Sequence, residues 1–305
     1  MKKVNCIGIL VVDALAKPIE KYPVPEEHTQ VITDSIRFLP GGGAANSAAA
    51  LGQIGINVSV FAKIGQDTNG IFIIQELEKN NVVTDGICIS KHDSTPFTFV
   101  GIHSNNQRTF IHTPGANKTF CLNDIDHEKL LDCNYLLYQD LWVLPNIDGA
   151  PGAELLKKAQ RRGIITLLDE CWGLGPDRQK WETMAGCSQY VLPSLDDMKA
   201  IYPDKDSKEI ADYLLGLGCE YVILKMGADG CLVCNKDKKE HVPTSAQKIV
   251  DTTGAGDCFN AGFIAGLVNG MDSKQAAVIG SKAAAACMKN VGGAVGIPKF
   301  EQLCK

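Results

Sequence analysis

Several common features are missing from this 305-residue sequence, and each absence argues against a class of function. No stretch approaches the roughly 20 apolar residues that a membrane-spanning helix needs. Basic residues do not dominate, since 30 Lys and Arg against 35 Asp and Glu give a net charge of −5. This balance argues against a nucleic-acid or anionic-membrane partner. No Gly-x-Gly-x-x-Gly follows the first apolar run and no Gly-x-x-x-x-Gly-Lys-Ser/Thr occurs, which argues against a dinucleotide site and a Walker P-loop.

Metal-ligand spacing is absent as well. The six His residues form no ligand-spaced pair, and the twelve Cys are scattered, mostly within apolar runs. The one Cys-x-x-Cys, Cys231–Cys234, lies in a strand-like stretch, where positions i and i+3 face opposite sides. We therefore predict that the cysteines are reduced and have no metal or redox role.

The N-terminus imitates a secretory signal, because Met1-Lys2-Lys3 precedes an apolar run and the small residues Ala14–Ala16. Asn5 interrupts that run, however, and Asp13 falls where a cleavage site would lie. We predict instead a buried strand over Val4–Val12 that ends at Asp13, and a cytoplasmic protein.

Strands and helices alternate along most of the chain. From about residue 134, the predicted strands lie near 135–138, 164–168, 189–192 and 221–225, and the predicted helices near 148–162, 195–202 and 207–217. Such alternation predicts a single doubly wound α/β domain over 1–305, with a mostly parallel sheet and helices on both faces. In this architecture ligands bind at the carboxyl ends of the strands.

A smaller β-sheet is predicted outside this layer. Thr29–Leu39 forms an extended stretch that is framed by prolines, and residues 95–103 and 108–112 form a predicted hairpin around Ser104-Asn105-Asn106. We place this insertion at about 14–40 and 93–113.

The stretch Val250–Phe263 gives the strongest indication of chemistry. Asp251 and Thr252 lead into the turn Gly254-Ala255-Gly256, and Asp257 follows one step into an apolar helix. The N–H groups of the turn lie at a helix N-terminus and suit a phosphate. A carboxylate beside a phosphate makes sense if it accepts the proton of an attacking hydroxyl, which is the layout that a small-molecule kinase needs. Taken alone, the turn is also compatible with an ordinary helix start.

Two positions in the N-terminal half suit contacts with hydroxyl groups. Asp13 ends the first predicted strand, where it would either contact a ligand or cap a turn. Gly41–Gly43 opens a helix of small residues, in which Asn46 offers a donor and an acceptor. Glycines there would let a sugar ring lie against the backbone, and a plain Gly-rich turn is the alternative.

Together these motifs resemble the ribokinase family, the PfkB-type carbohydrate kinases. The C-terminal motif of the family, Asp-Thr-x-Gly-Ala-Gly-Asp, is matched over Asp251–Asp257, and its N-terminal Gly-Gly-x-x-x-Asn over Gly41–Asn46. The resemblance spans nearly the whole chain, including Lys63–Asp67 and His112–Asn117.

The resemblance implies a set of site residues. Asp257 would be the base, and the anion hole would be formed by Gly254, Ala255 and Gly256. Substrate hydroxyls would contact Asp13, Gly42, Gly43, Asn46 and Asp257. The nucleotide phosphates would lie near Lys225, Gly227 and Gly230, and the adenine near Asn290. Asp197 would hold Mg²⁺ through water, and a monovalent cation such as K⁺ would be bound by Asp251 and Thr253.

Some positions differ from the family's pattern. The Asn-x-x-Glu motif of the Mg²⁺ water network is Ser194–Asp197 here, and a common Asp-x-Asn is Asp169–Cys171. Where ribokinases often place a glutamate for the sugar, this chain has Gln139–Trp142. The last two differences leave the substrate open.

We therefore predict an ATP-dependent and Mg²⁺-dependent kinase for a primary hydroxyl of a sugar of ribose, fructose or keto-sugar-acid type. The helix N-terminus is expected to keep the pKa of Asp257 low. The alternatives are a nucleoside kinase for adenosine, inosine or guanosine, and a non-catalytic sugar-binding regulator. A phosphosugar acceptor would need basic residues, for which Arg108 is the candidate. The small sheet would be a lid, and its exposed edges predict a homodimer.

Overall fold

The computed structural model describes residues 2–19, 30–104, 108–171 and 175–305. The strands are β1 (Lys3–Ile7), β2 (Val11–Ile19), β3 (Ser35–Gly41), β4 (Asn57–Gly65), β5 (Val82–Ser90), β6 (Phe97–His103), β7 (Arg108–Thr113), β8 (Tyr135–Leu141), β9 (Ile165–Glu170), β10 (Tyr190–Val191), β11 (Tyr221–Lys225), β12 (Cys231–Cys234) and β13 (Lys239–Val242). The α-helices are α1 (Gly43–Ile54), α2 (Thr68–Lys79), α3 (His127–Leu130), α4 (Ala150–Arg161), α5 (Arg178–Ala185), α6 (Leu195–Ile201), α7 (Ser207–Leu217), α8 (Ala255–Val268), α9 (Ser273–Cys287) and α10 (Phe300–Leu303).

The main sheet has nine strands in the order β13-β12-β11-β10-β9-β8-β1-β4-β5. All neighbours from β11 to β5 pair in parallel, and only β12 and β13 add antiparallel pairs at one edge. The strand order reverses direction beside β1, as it does in a doubly wound sheet. The predicted fold class is confirmed.

Two apolar cores lie on opposite faces of this sheet. Successive side chains of a strand point to opposite faces, and β8 shows the consequence clearly. Its Tyr135 and Leu137 pack in the core that contains α1, α8 and α9, whereas Leu136 and Tyr138 pack in the core that contains α4, α5 and α7. Because β8 is covered on both sides, every one of its residues is buried. The helices therefore lie on both faces, as predicted.

The small sheet has the order β3-β2-β6-β7, with β2 and β6 parallel and the outer pairs antiparallel. The start of the predicted strand at Thr29 and the predicted turn residues Asn105 and Asn106 lie outside the described residues. The single domain over 1–305 and the bounds of its insertion, about 14–40 and 93–113, stay predictions.

The prediction of one strand over Val4–Val12 is wrong. β1 ends in the main sheet at Ile7, and β2 begins in the small sheet at Val11. Between them, a Cβ on Gly8 would overlap the carboxylate of Asp140, so glycine lets the chain pass close to that side chain. Asp13 consequently lies within β2 of the small sheet and not at the end of a core strand.

The twelve cysteines all lie in the described ranges, where none of them forms a disulfide and only Cys304 is exposed. In the same ranges, we find no helix with the length and apolar character needed to span a bilayer.

Candidate active site

The turn before α8 presents backbone N–H groups beside the end of β11. Gly254 adopts the left-handed conformation with a φ of 71°, and a Cβ there would lie 2.8 Å from the Cα of Gly293, so the position requires glycine. The N–H of Ala255 donates to the carbonyl of Thr252 at 3.2 Å. In the part of the chain that the structure describes, no backbone hydrogen bond uses the N–H of Gly254 or Gly256. Two of the three predicted amides are thus open to an anion.

The carboxylate of Asp257 is held by two side-chain amides. One oxygen accepts a hydrogen bond from Nδ2 of Asn46 at 2.8 Å, and the other accepts one from Nε2 of Gln139 at 3.1 Å. Desolvation raises the pKa of Asp257 to about 6, and the Asp169 carboxylate adds to that effect, while Asn46, Lys225 and Gln139 oppose it. The expectation of a low pKa is therefore wrong, because desolvation outweighs the helix N-terminus.

Asp140 holds the glycine-rich turn in place. Its carboxylate accepts hydrogen bonds from the N–H groups of Ile9 at 2.8 Å, Gly43 at 2.9 Å and Ala44 at 3.0 Å. Asp140 itself has a positive φ of 63°, an uncommon conformation that Asp tolerates better than most residues. A Cβ on Gly43 would overlap this carboxylate, so Gly43 allows the contact that positions the start of α1.

Asp13 lines a pocket of about 250 Å³ under the small sheet. We call it the small-sheet pocket, and it is lined by Asp13, Leu15, Thr98, Val100, Ile102, Arg108, Phe110, Thr252 and Thr253. Burial raises the pKa of Asp13 to about 6, and a hydrogen bond with Thr98 partly offsets this rise. The carboxylate also lies directly against Gly41, where a Cβ would overlap it. Asp13 is therefore next to the turn that leads to Asn46.

A second pocket of about 300 Å³ lies on the other side of the turn before α8. We call it the α8 pocket, and its lining includes Lys225, Gly227, Gly230, Thr252, Ala255, Gly256, Ile249, Phe259, Ala284 and Met288. Three of the four predicted nucleotide residues are among them. Asn290 is not in that lining, and its side-chain amide donates to the carbonyl of Val295 at 3.0 Å. Thr252 lines both pockets, so the two are adjacent at the turn.

Lys225 carries a positive charge to this turn. Its Nζ lies 3.6 Å from the position that a Cβ on Gly256 would occupy, and it binds both oxygens of Asp169 at 2.8 and 2.9 Å. Asp169 also accepts a hydrogen bond from Nδ2 of Asn260 on α8. Burial alone would lower the pKa of Lys225, but the carboxylates of Asp169 and Glu170 hold it above its usual value. The ammonium group therefore stays charged beside the open amides.

Asp197 lies at the start of α6, where Oγ of Ser194 donates to its Oδ2 at 2.5 Å. Across the described ranges, no three His, Cys, Asp or Glu side chains are arranged to hold a metal ion. Mg²⁺, however, is usually held by phosphates and water with only one or two carboxylates. Asp197 can supply one such carboxylate. Glu170 can supply another, because its Oε1 accepts from the N–H of Ser194 at 2.7 Å and its buried Oε2 has no hydrogen-bond partner among the residues that the structure describes. These residues fit Mg²⁺.

The two predicted ligands of a monovalent cation bind a guanidinium group instead. Arg108 of β7 donates to Oγ1 of Thr253 at 2.6 Å and forms an ion pair with Asp251. Oδ1 of Asp251 also accepts from the N–H and the hydroxyl of Thr253 at 2.9 and 2.8 Å. The predicted K⁺ ligands are thus already engaged, and they do not fit a resident K⁺ ion.

Comparison with known proteins decides the family, because the profile of the pfkB family carbohydrate kinases matches residues 1–299. The chain belongs to this family. It is 23% identical over 309 residues to a ribokinase of Staphylococcus aureus, which covers 99% of this chain and 98% of that protein. A nucleoside kinase of Methanocaldococcus jannaschii is 23% identical over 313 residues, with 99% and 96% covered. A ribokinase structure from Thermotoga maritima superposes with a TM-score of 0.86 at 26% identity, covering 99% of this chain and 98% of that one.

As a pfkB kinase, the protein is an ATP-dependent phosphotransferase that acts on a sugar or a nucleoside. The prediction of the family, the fold and the enzyme class is confirmed. Which acceptor it uses is not decided by membership of the family.

Sequence reasoning missed the roles of Gln139 and Asp140 in this pfkB kinase. It used Gln139–Trp142 only as a difference from ribokinases. The available signal was that two polar residues stand at the end of β8, a strand that is otherwise apolar. The carboxyl ends of buried strands are where polar side chains meet ligands or helix starts in this architecture.

Replacing Gln139 with Glu is expected to move the acidic limb of the pH dependence of kcat/KM to higher pH. The base must be deprotonated, so activity falls as pH drops through the pKa of Asp257, about 6. A second carboxylate in hydrogen-bonding reach would raise that pKa further, by roughly one unit or more. The pH profile of Gln75→Glu, an exposed position on α2, is the matched control. If the acidic limb of Gln139→Glu stays at the pH of the wild type, the pKa of Asp257 does not determine that limb.

Proposed function

We propose that this protein transfers the γ-phosphoryl group of ATP to a primary hydroxyl of a sugar of ribose, fructose or keto-sugar-acid type. The observation that supports this proposal best is the carboxylate of Asp257, which two amides orient one residue beyond the open N–H groups of the turn. The proton acceptor and the anion site are therefore adjacent. The two pockets that share Thr252 in their lining can bind the two substrates.

The proposed reaction is a direct displacement. Asp257 accepts the proton of the acceptor hydroxyl while the oxygen of that hydroxyl attacks the γ-phosphorus of ATP. The bond between the γ-phosphorus and the β,γ-bridging oxygen breaks, and this oxygen leaves with ADP. The N–H groups of Gly254 and Gly256 stabilise the charge on the transferred group, with Ala255 shaping the turn between them. Asn46 and Gln139 keep the carboxylate in line with the hydroxyl.

The α8 pocket is the proposed ATP site. Its apolar lining residues Ile249, Phe259, Ala284 and Met288 suit a purine base. Lys225, Gly227, Gly230 and Gly256 also line it. Lys225 would bind the phosphates next to the turn. The sequence-based role of Asn290 at the adenine finds no support in this lining.

The small-sheet pocket is the proposed acceptor site. Asp13 and Asn46 would bind the hydroxyls of the sugar, and the backbone at Gly42 and Gly43 would lie against it. Asp197 and Glu170 would hold Mg²⁺ through water, and this ion, when bound, neutralises charge on the nucleotide phosphates. We propose no step that requires K⁺.

The small sheet is the proposed lid, and two copies of it would form a homodimer. A lid excludes water, so that ATP is transferred to the acceptor rather than hydrolysed. Apolar side chains on its outer strands are exposed, namely Ile36 by 54%, Phe38 by 53%, Phe110 by 58% and Ile111 by 63%. Sedimentation at micromolar concentration tests the dimer, and a purely monomeric species would overturn it.

A nucleoside is the second candidate acceptor. Phe110 lines the small-sheet pocket, where an aromatic ring can stack on a base. The similarity to the nucleoside kinase of M. jannaschii adds weight to this candidate.

A screen of ADP release decides between these acceptors. The purified protein is incubated with ATP, Mg²⁺ and, in turn, ribose, fructose, 2-keto-3-deoxygluconate, tagatose-type phosphosugars and nucleosides. ADP release that depends on one of the sugars supports the proposal, and release that depends on a nucleoside supports the second candidate. Sugar binding without ADP release would indicate the non-catalytic regulator.

We also propose that the protein works in a reducing compartment such as the cytoplasm, which is supported by twelve cysteines that form no disulfide in the described ranges.

Replacing Asp13 with Ala is expected to raise the KM for the acceptor about 10- to 100-fold, the loss expected for a hydrogen bond to a charged group. The turnover number at saturating acceptor should change much less, because Asp13 would bind the ground state and the transition state alike. Steady-state kinetics test this split, with Asp34→Ala, an exposed carboxylate just before β3, as the control. An unchanged KM would remove Asp13 from the acceptor site.

A further inference from the structure

Arg108 connects the small sheet to the loop that precedes α8. Its guanidinium group crosses from β7 to Thr253 and Asp251, which lie 145 and 143 residues further along the chain. The side chain of Asp251 is 3% exposed and that of Arg108 26%, so the ion pair is largely shielded from water. A pair in such a place must be well satisfied, because an unpaired buried charge is costly.

Both oxygens of Asp251 already accept hydrogen bonds from groups of the protein. Oδ1 accepts from Arg108 and from the N–H and hydroxyl of Thr253, and Oδ2 accepts from the N–H of Gly292 at 2.9 Å. Although burial opposes ionisation, these hydrogen bonds and the nearby guanidinium keep the pKa of Asp251 below its usual value. The carboxylate is therefore negative and already neutralised by a positive group of the protein.

A K⁺ ion and the guanidinium group cannot share these ligands. Both would lie within hydrogen-bonding distance of the same oxygens, and two like charges so close repel each other strongly. The two residues that the family resemblance assigns to a monovalent cation thus bind Arg108 through their side chains in this chain.

We propose that Arg108 takes the place of the activating monovalent cation, so that this kinase works without K⁺. Since Arg108 belongs to β7, the positive charge reaches the loop only while the small sheet lies over it. The same contact would therefore hold the loop before Gly254 against the small sheet and fix the positions of the two pockets relative to each other. The activity arm of the test below rests on the proposed kinase function, and its melting arm does not.

The first arm measures turnover in KCl and in choline chloride at equal ionic strength, with the acceptor that the ADP screen identifies. The wild-type rate is expected to differ by less than about two-fold, the scale of a general salt effect. The turnover number of Arg108→Ala is expected to fall in choline chloride. It is expected to rise again by roughly 10-fold or more in KCl, or in guanidinium chloride at low concentration, which corresponds to the free energy of a charge-assisted hydrogen bond.

The second arm measures the melting temperature in the same two salts and needs no acceptor. Arg108→Ala leaves Asp251 buried and unpaired, so its melting temperature is expected to fall by about 5 °C or more in choline chloride and to recover in KCl. Wild type and Arg37→Ala, which removes an exposed arginine from β3 of the same small sheet, should melt alike in both salts.

Three results would overturn the proposal: strong activation of the wild type by K⁺, an Arg108→Ala variant with wild-type turnover and melting in choline chloride, or a folded variant that K⁺ restores in neither arm. If the wild type releases no ADP with any acceptor, the proposed function fails, while the melting arm still decides the role of Arg108.

Discussion

Asp257→Asn is expected to lower turnover by about 10²- to 10⁴-fold, the usual contribution of a positioned proton acceptor. The amide cannot take the hydroxyl proton, although it nearly preserves the shape of the site. The KM for the acceptor should stay close to that of the wild type, because Asp13 and Asn46 remain. The measurement is steady-state ADP release together with the melting temperature.

The matched control for this variant is Asp272→Asn. Asp272 caps α9, and its side chain accepts from the N–H of Gln275 at 2.8 Å, so the variant makes the same charge change at another helix start. Asp257 accepts from two amide donors, and the NH₂ group that Asp257→Asn introduces would face one of them unless Asn46 or Gln139 rotates its amide. A folded Asp257→Asn variant with wild-type turnover would remove Asp257 from the mechanism.

Lys225→Met is expected to lower turnover by roughly 10²- to 10³-fold, as expected for loss of a charge aimed at the transferred phosphoryl group. The ammonium group lies beside Gly256, where the proposed transition state would gain charge. The variant also leaves Asp169 without its partner, and breaking a buried pair in this way costs about 3–5 kcal/mol of folding stability. Turnover and denaturant unfolding measure the two effects separately.

The double variant Lys225→Met/Asp169→Asn separates chemistry from stability. Without the carboxylate at 169, the acidic group that Lys225 binds directly is gone, so much of the lost stability should return while turnover stays low. If turnover recovers together with stability, Lys225 acts only through the ion pair and not on the phosphoryl group.

The sequence was sufficient where local pattern and chemistry coincide. Gly254 before an apolar helix predicts a helix start with open amides, and Asp257 within the first turn predicts a carboxylate beside them. The alternation of strands and helices likewise predicts the main sheet, because each βα unit covers one face of its own strand. These features depend on neighbours in the chain, which a single sequence displays.

The rest depends on contacts between distant segments. Gly8 gives no sign by itself that the apolar run passes from one sheet to another, since its contact with the carboxylate of Asp140 appears only in the folded chain. The pKa of Asp257 on α8 depends on desolvation and on Asp169, which lies on β9. Arg108 and Asp251 meet only because β7 folds over the loop before α8. In each case the deciding partner is set by tertiary structure.

Thr252 lines both cavities, so the two substrates proposed to bind there would share this residue as a neighbour. If a ligand bound in one cavity shifts Thr252, the lining of the other cavity changes for the ligand that binds there. Thermodynamic linkage then requires the effect to be mutual: the factor by which bound nucleotide changes the affinity for the acceptor equals the factor by which bound acceptor changes the affinity for the nucleotide.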